Sequence, residues 1–75
     1  MSLGNALRDF SGRIIGYIED KSDGDQIGRD FYGKIVGYWD KKLNVTRDYY
    51  QRIVGRGNML SSLIQQAEDN YRKKK

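Results

Sequence analysis

Residues 29–38 read Arg-Asp-Phe-Tyr-Gly-Lys-Ile-Val-Gly-Tyr, and most of the predicted fold follows from this stretch. Close variants of the phrase occupy residues 8–17 and residues 47–56. A phrase repeated at such short intervals is typical of small supersecondary units that cannot bury their apolar side chains alone and must pack on one another. We therefore expect three similar units within residues 6–57, which we call repeats 1, 2 and 3.

Each repeat is predicted to be a β-hairpin with a tight turn. The first turn position is occupied by Asp9, Asp30 and Asp48. Aspartate suits this position because its carboxylate can accept a backbone N–H two residues further on. Gly12 and Gly33 stand at the fourth position, where a type I turn followed by a bulge needs a positive φ. Gln51 takes this place in repeat 3, so its turn is either strained or of another type.

The second strand of each hairpin carries a recurring glycine. Side-chain alternation places Ile14 and Gly16 on one strand face, and Ile35 and Gly37 are their counterparts in repeat 2. A glycine that recurs beside an isoleucine indicates that another group approaches closely there. We expect that group to be a neighbouring repeat or an aromatic ring.

The periodicity changes after the third repeat. From residue 58 the apolar positions are Leu60, Leu63, Ile64, Ala67 and Tyr71, which form one stripe of a helix. Asn58 is the expected N-cap of a helix over residues 58–72, which should cover the open end or one face of the strands. The predicted fold is thus mainly β, with about six short strands in a meander and one C-terminal amphipathic α-helix. The whole of residues 1–75 would form one small domain, in which 1–5 are a disordered or non-native start and 73–75 a basic tail.

The composition argues against enzyme chemistry. The chain has neither histidine nor cysteine, so it lacks the usual general base at neutral pH, a thiol nucleophile and the ligands of a zinc site. We expect no catalytic residues, no metal site and no cofactor. A chain of 75 residues buries only about 60% of its unfolded surface, which favours oligomerisation as a source of stability.

Positive charge is concentrated in the second half of the chain. Residues 41–75 carry nine Lys and Arg against three Asp and Glu, within a net charge of +4 for the whole chain. A basic half can attract nucleic acid. The residues that would serve such binding are Lys41, Lys42, Arg47, Arg52, Arg56 and the tail Arg72–Lys75.

The aromatic residues divide into two predicted groups. Tyr17, Tyr38 and Trp39 lie in strands and should pack between repeats. The expected interaction surface combines aromatic residues at turn tips with basic residues nearby, and consists of Phe31, Tyr32, Tyr49, Tyr50, Arg47, Arg52 and Arg56. Exposed aromatic clusters of this kind often mark a protein interface.

The phrase Asp-aromatic-x-Gly-basic-Ile-x-Gly resembles the short hairpin repeats of the bacterial β-flower proteins, with residues 30–38 as its clearest example. The phrase is also similar, more weakly, to the YD repeats of RHS-type shell proteins, in which a tyrosine precedes the aspartate. Here arginine stands at that position in all three repeats. The β-flower resemblance covers residues 6–57, and it implies hairpins that radiate around a centre, a bacterial origin and no assigned activity.

The sequence therefore predicts a non-enzymatic protein-interaction or self-assembling module that forms a homo-oligomer or binds another protein. The alternative is a nucleic-acid-binding module that uses the basic second half. No apolar run approaches the ~20 residues of a membrane span. The N-terminus lacks a signal-peptide pattern, so the default location is cytoplasmic.

Overall fold

The computed structural model describes residues 5–73, which form six strands and one helix. The elements are β1 Asn5–Arg8, β2 Ile14–Asp20, β3 Gln26–Asp30, β4 Ile35–Asp40, β5 Val45–Asp48, β6 Ile53–Arg56 and α1 Leu60–Lys73. The predicted fold class, a mainly β meander with a C-terminal helix, is confirmed. Asn5 begins β1 and Lys73 ends α1, so neither belongs to an irregular terminus. The rest of the expected start and tail lies outside the described residues.

The strands form a single antiparallel sheet in chain order, from β1 at one edge to β6 at the other. Hairpin 1 (β1–β2), hairpin 2 (β3–β4) and hairpin 3 (β5–β6) lie side by side in this sheet and do not radiate around a centre. Because the order is sequential and antiparallel, all three hairpin turns lie at one end of the sheet. The two connections between hairpins lie at the opposite end.

The three hairpin turns share one hydrogen-bond pattern. In hairpin 2 the amide of Asp30 donates to the carbonyl of Lys34 at 2.8 Å, and the amide of Gly33 donates to the carbonyl of Asp30 at 3.0 Å. Hairpin 3 has the same two bonds, with Gln51 in place of the glycine. Gln51 has a φ of 70°, close to the 86° of Gly33. The sequence left two possibilities open for this turn, and the structure shows the strained one.

Two of the recurring glycines, Gly16 and Gly37, lie beneath the helix together with Gly28 of β3. We call Gly16, Gly28 and Gly37 the glycine floor, because a Cβ atom on any of them would meet a side chain of α1. At Gly28 that atom would lie 3.1 Å from a methyl group of Leu60.

The expectation that a neighbouring repeat approaches Gly16 and Gly37 is confirmed, because the backbone carbonyls of Arg29 and Arg47 in the next repeat are among the nearest atoms. No aromatic ring is among the nearest atoms at these two glycines, and the approach of the helix was not expected. Leucine and isoleucine side chains of α1 approach them, and the helix packs on β2, β3 and β4.

Two side chains fix the start of the helix. The helix begins at Leu60, two residues later than predicted, and Met59 holds the N-cap position because its carbonyl accepts from the amide of Leu63. The Asn58 side chain accepts from the amide of Leu60 at 3.1 Å, so it still satisfies one free amide at this helix end. Buried Thr46 of β5 donates to the carbonyl of Gly57 at 2.6 Å and accepts from the amide of Met59 at 2.9 Å. The first turn of α1 is thus joined to the sheet by hydrogen bonds as well as by packing.

The apolar core between helix and sheet is small. Among the described residues, the buried hydrophobic side chains are Ile15, Leu60 and Ile64. Full burial of such a side chain contributes roughly 1.5–3 kcal/mol, so three of them leave little margin. The stability of the chain therefore depends strongly on turns, caps and cross-strand contacts.

The turn geometry predicts opposite effects for two substitutions. Gln51→Gly should raise the free energy of unfolding by about 1 kcal/mol, because it removes the strain of a side chain at positive φ. Gly12→Ala should lower it by about the same amount through strain alone, since a Cβ at Gly12 would meet nothing within 4 Å. Urea denaturation of both variants checks the prediction, and two unchanged midpoints would contradict it.

Candidate interaction site

Five exposed aromatic side chains line the turn end of the sheet. This aromatic rim consists of Phe10 (105% exposed), Phe31 (49%), Tyr32 (61%), Tyr49 (56%) and Tyr50 (72%). The turns are two strands apart, so neighbouring groups of the rim are separated by about 10 Å. Four of the five residues were predicted from sequence. Phe10 was missed, although it occupies the same turn position as Phe31 and Tyr49 and could have been found from that alignment.

The turn aspartates hold the rim residues in place. One oxygen of Asp30 accepts from the amides of Tyr32 and Lys34, both at 2.9 Å. Asp48 accepts in the same way from Tyr50 at 2.9 Å and Arg52 at 3.0 Å. Each carboxylate thus bridges two backbone amides across its turn, as expected for aspartate at the first position. The rim is therefore carried by ordered turns, which lowers the entropy cost of binding through it.

Aromatic contacts further order the rim. Phe31 and Tyr32 meet edge to face at 5.2 Å between ring centroids, and Tyr49 and Tyr50 do so at 5.3 Å. The guanidinium of Arg52 lies 5.4 Å from the centre of the Tyr50 ring. These distances fall within the range of favourable aromatic and cation–π contacts.

The C-terminal part of α1 supports the middle of the rim. The Tyr32 hydroxyl donates to the Tyr71 hydroxyl at 2.7 Å, and this contact raises the pKa of Tyr32. Arg13 pairs with Glu68, which also accepts from Arg72 at 3.0 Å. Sequence reasoning missed this support, because Glu68 and Tyr71 are joined to the turns only through the tertiary structure.

Several clefts adjoin the rim, and two of them border the turn of hairpin 2. One, of about 330 Å³, lies between hairpins 1 and 2 and the end of α1, and its walls include Phe31, Tyr32 and Tyr71. The other, of about 650 Å³, lies between the second and third turns and is bordered by Lys34, Tyr49 and others. Both are open depressions into which a protruding side chain of a partner can insert.

The structure does not gather all of the predicted surface residues. Arg52 lies at the rim and pairs with Asp48 at 3.0 Å. Arg47 lies within β5, is only 25% exposed and pairs with Asp40 at 3.3 Å. Arg56 lies opposite Val45 at the other end of the sheet. The aromatic members and Arg52 thus form one surface, from which Arg47 and Arg56 are separate.

The basic residues proposed for nucleic-acid binding are also divided. Lys41 and Lys42 belong to the connection at the far end of the sheet, close in sequence to the start of β5. Arg52 lies at the turn end, and Arg72 lies on the last turn of α1. Lys74 and Lys75 lie outside the described residues. Along the described part of the chain, these cations do not form one continuous track.

Comparison with family models, with curated proteins and with solved structures finds no match to this chain. The resemblance to β-flower repeats therefore stays a prediction. Within residues 5–73, no helix is both long enough and apolar enough to cross a bilayer. The same residues contain no group of three or more acidic side chains placed to hold a metal ion.

The turn carboxylates have a measurable electrostatic signature. The hydroxyl of Ser11 and the amide of Arg13 lower the pKa of Asp9 below its ordinary 3.8. The amide of Arg52 is the main cause of the lowered pKa of Asp48. Both groups are therefore ionised at neutral pH, when they bridge the turn amides.

These lowered pKa values predict how stability depends on acid. A carboxyl group whose pKa is lower in the folded state stabilises the fold above its unfolded pKa, and this contribution is lost as the pH falls through the folded value. The free energy of unfolding should therefore decrease below about pH 4. Asp48→Asn, which keeps an oxygen acceptor without a charge, should flatten this decrease. Carboxyl titration by NMR that places Asp9 and Asp48 at or above 3.8 would contradict the account.

Proposed function

We propose that this chain is a non-enzymatic protein-interaction module that self-associates through its aromatic rim. The observation that supports the proposal is the rim itself, in which five exposed aromatic side chains stand on three consecutive ordered turns. Soluble proteins rarely leave apolar side chains clustered on their surface, and such clusters mark interaction sites. Tyrosine and phenylalanine are also among the residues enriched at protein interfaces.

The rim is large enough for a specific interface. An aromatic side chain buries roughly 150–250 Å² when fully covered. Even at half that value, the five rim residues supply about 500 Å² on each molecule. Two rims facing each other would bury about 1,000 Å² in total, which is the lower limit for a stable contact. Insertion into the flanking clefts would add to this area.

The charge pattern favours a second molecule of this chain over an anionic partner. At the rim Arg13 is paired with Glu68, and Arg52 with Asp48. Both cations have a carboxylate partner within the molecule, which weakens their attraction for phosphate groups. A largely neutral aromatic surface can face its own symmetry-related copy with little repulsion.

The test compares the mass in solution of the wild type, a double variant of the rim and a control variant. The double variant Phe31→Ser/Tyr50→Ser removes two exposed rings of the rim and keeps the Tyr32–Tyr71 hydrogen bond that joins the rim to α1. The control Leu43→Ser removes an equally exposed apolar side chain, 60% accessible, from the opposite end of the sheet. Sedimentation equilibrium should show a concentration-dependent dimer for the wild type and for Leu43→Ser. The double variant should dissociate at least about tenfold more readily, with its melting temperature little changed.

Two results would contradict the proposal. One is a wild-type monomer at millimolar concentration, and the other is an equal loss of association in the double variant and the Leu43 control. Binding of single-stranded oligonucleotides that weakens steeply with salt, and that the double variant loses, would instead support the nucleic-acid alternative.

A further inference from the structure

Both junctions between hairpins use the same strand register. Where β2 meets β3, Gly16 lies opposite Asp30 and Tyr17 lies opposite Arg29. Where β4 meets β5, the corresponding pairs are formed by Gly37 with Asp48 and by Tyr38 with Arg47. Each junction therefore places a tyrosine of one hairpin directly across from an arginine of the next. Aromatic and charged side chains in such cross-strand positions are in direct contact distance.

The third hairpin ends in β6, whose outer edge corresponds to those of β2 and β4 but has no partner strand in the described residues. The first three residues of β6 repeat those of β4, and its apolar residues Ile53 and Val54 are 62% and 40% exposed. After β6 the chain turns at Gly57, which has a φ of 79°, and enters α1. The helix packs on the face of β2, β3 and β4, so it does not shield this edge. Within residues 5–73, no strand pairs with the outer side of β6.

A second molecule carries a strand of the type that β6 would accept. β1 is the first strand of its hairpin, as β3 and β5 are of theirs. Its outer side is also unpaired within the described residues. Continuing the register of the two internal junctions would place Gly55 opposite Asp9 of the second molecule. It would also place Arg56 opposite Arg8 of that molecule. The sheet would then grow from one molecule to the next, head to tail.

Arg56 is the residue at which this pairing would differ from the two internal junctions. It occupies the position of Tyr17 and Tyr38, and unlike these half-buried tyrosines it is exposed. It forms no ion pair with any other residue in the described part of the chain, so its charge is uncompensated. An arginine opposite an arginine puts two like charges where each internal junction has an uncharged tyrosine opposite an arginine, and like charges directly opposite are destabilising. Charged side chains on edge strands are a known means of preventing sheets from joining.

We propose that Arg56 ends the sheet at three hairpins by excluding β1 of a second molecule from the β6 edge. The β6 edge is thus a strand-docking surface, and the strand that fits it is β1 of another copy of this chain. The charges at positions 8 and 56 determine whether β1 can pair there. This surface lies apart from the aromatic rim, and the inference does not depend on the function proposed for the rim.

The test is a charge-exchange series at these two positions. All variants are made in the Phe31→Ser/Tyr50→Ser background, so that association through the rim does not contribute. Arg56→Glu and Arg8→Glu each place opposite charges across the junction, and each should form chains of increasing mass with concentration. The double variant Arg8→Glu/Arg56→Glu places two glutamates face to face and should return to the mass of the background protein. Arg56→Lys, which keeps the charge, should also leave the mass unchanged.

Sedimentation velocity at low salt measures the outcome. We expect each single glutamate variant to associate at least about tenfold more tightly than the background protein. Arg8 also donates to the carbonyl of Gly12 at 2.8 Å, so its replacement can weaken hairpin 1. Arg56→Tyr restores the residue of the internal junctions without touching Arg8, and it should associate as well. The proposal is overturned if Arg56→Glu and Arg56→Tyr keep the background mass at every concentration, or if the double variant associates as strongly as the single ones.

Discussion

The packing of one helix against three glycines is the contact on which the rest of this structure depends. Leu60, Leu63 and Ile64 of α1 lie directly over the glycine floor, where any larger residue would hold the helix away from the sheet. A six-stranded sheet of short hairpins has no second layer of its own, so the helix supplies the only other side of the core in the described residues. The hydrogen bonds of Thr46 then fix where along the sheet the helix begins.

The position of the helix also decides which surfaces are left for binding. Because α1 packs on β2, β3 and β4, it reaches the middle of the turn end, where Tyr71 supports Tyr32. It leaves the tips of the turns uncovered, and it leaves the β6 edge without a cover. The aromatic rim and the edge are therefore two separate surfaces with different chemistry. The rim is apolar, and its arginines are paired with carboxylates. At the β6 edge, the unpaired charge of Arg56 determines which strand can dock.

Much of this fold could be predicted from local sequence. The spacing of aspartate and glycine predicts the turns, because the carboxylate bridge and the positive φ are properties of four consecutive residues. The stripe from Leu60 to Tyr71 predicts the helix for a similar local reason. Gln51 shows the limit of such reasoning, since its turn keeps the hydrogen bonds of the other two turns although its residue type disfavours the positive φ. The role of the glycines was recognised only in part, because their contact with α1 depends on side chains about 25 to 50 residues further along the chain.

The candidate site was predictable to the same degree. The four aromatic residues at turn tips were found because exposure at a turn follows from its geometry. Arg47 and Arg56 were grouped with them by proximity in sequence, but Arg47 is only partly exposed and pairs with Asp40, and Arg56 lies opposite Val45 at the far end of hairpin 3. Only the register shows that Arg56 takes the place of Tyr17 and Tyr38 at an open junction. The repeat pattern alone aligns Arg56 with the two tyrosines. The consequence for sheet growth can be drawn only when the order of the strands is known.

The measurement that tests this account most directly is a comparison of Gly37→Ala with Gly55→Ala in urea denaturation. A Cβ at Gly37 would lie 2.5 Å from a methyl group of Leu63 and 2.8 Å from the carbonyl oxygen of Arg47. Since backbone must then shift, we expect this variant to lose about 2–3 kcal/mol of unfolding free energy. At Gly55 the nearest atom is the sulfur of the flexible Met59 side chain, so the change there should stay within about 0.5 kcal/mol. Equal effects at the two positions would contradict the claim that close contact between α1 and the glycine floor holds this structure together.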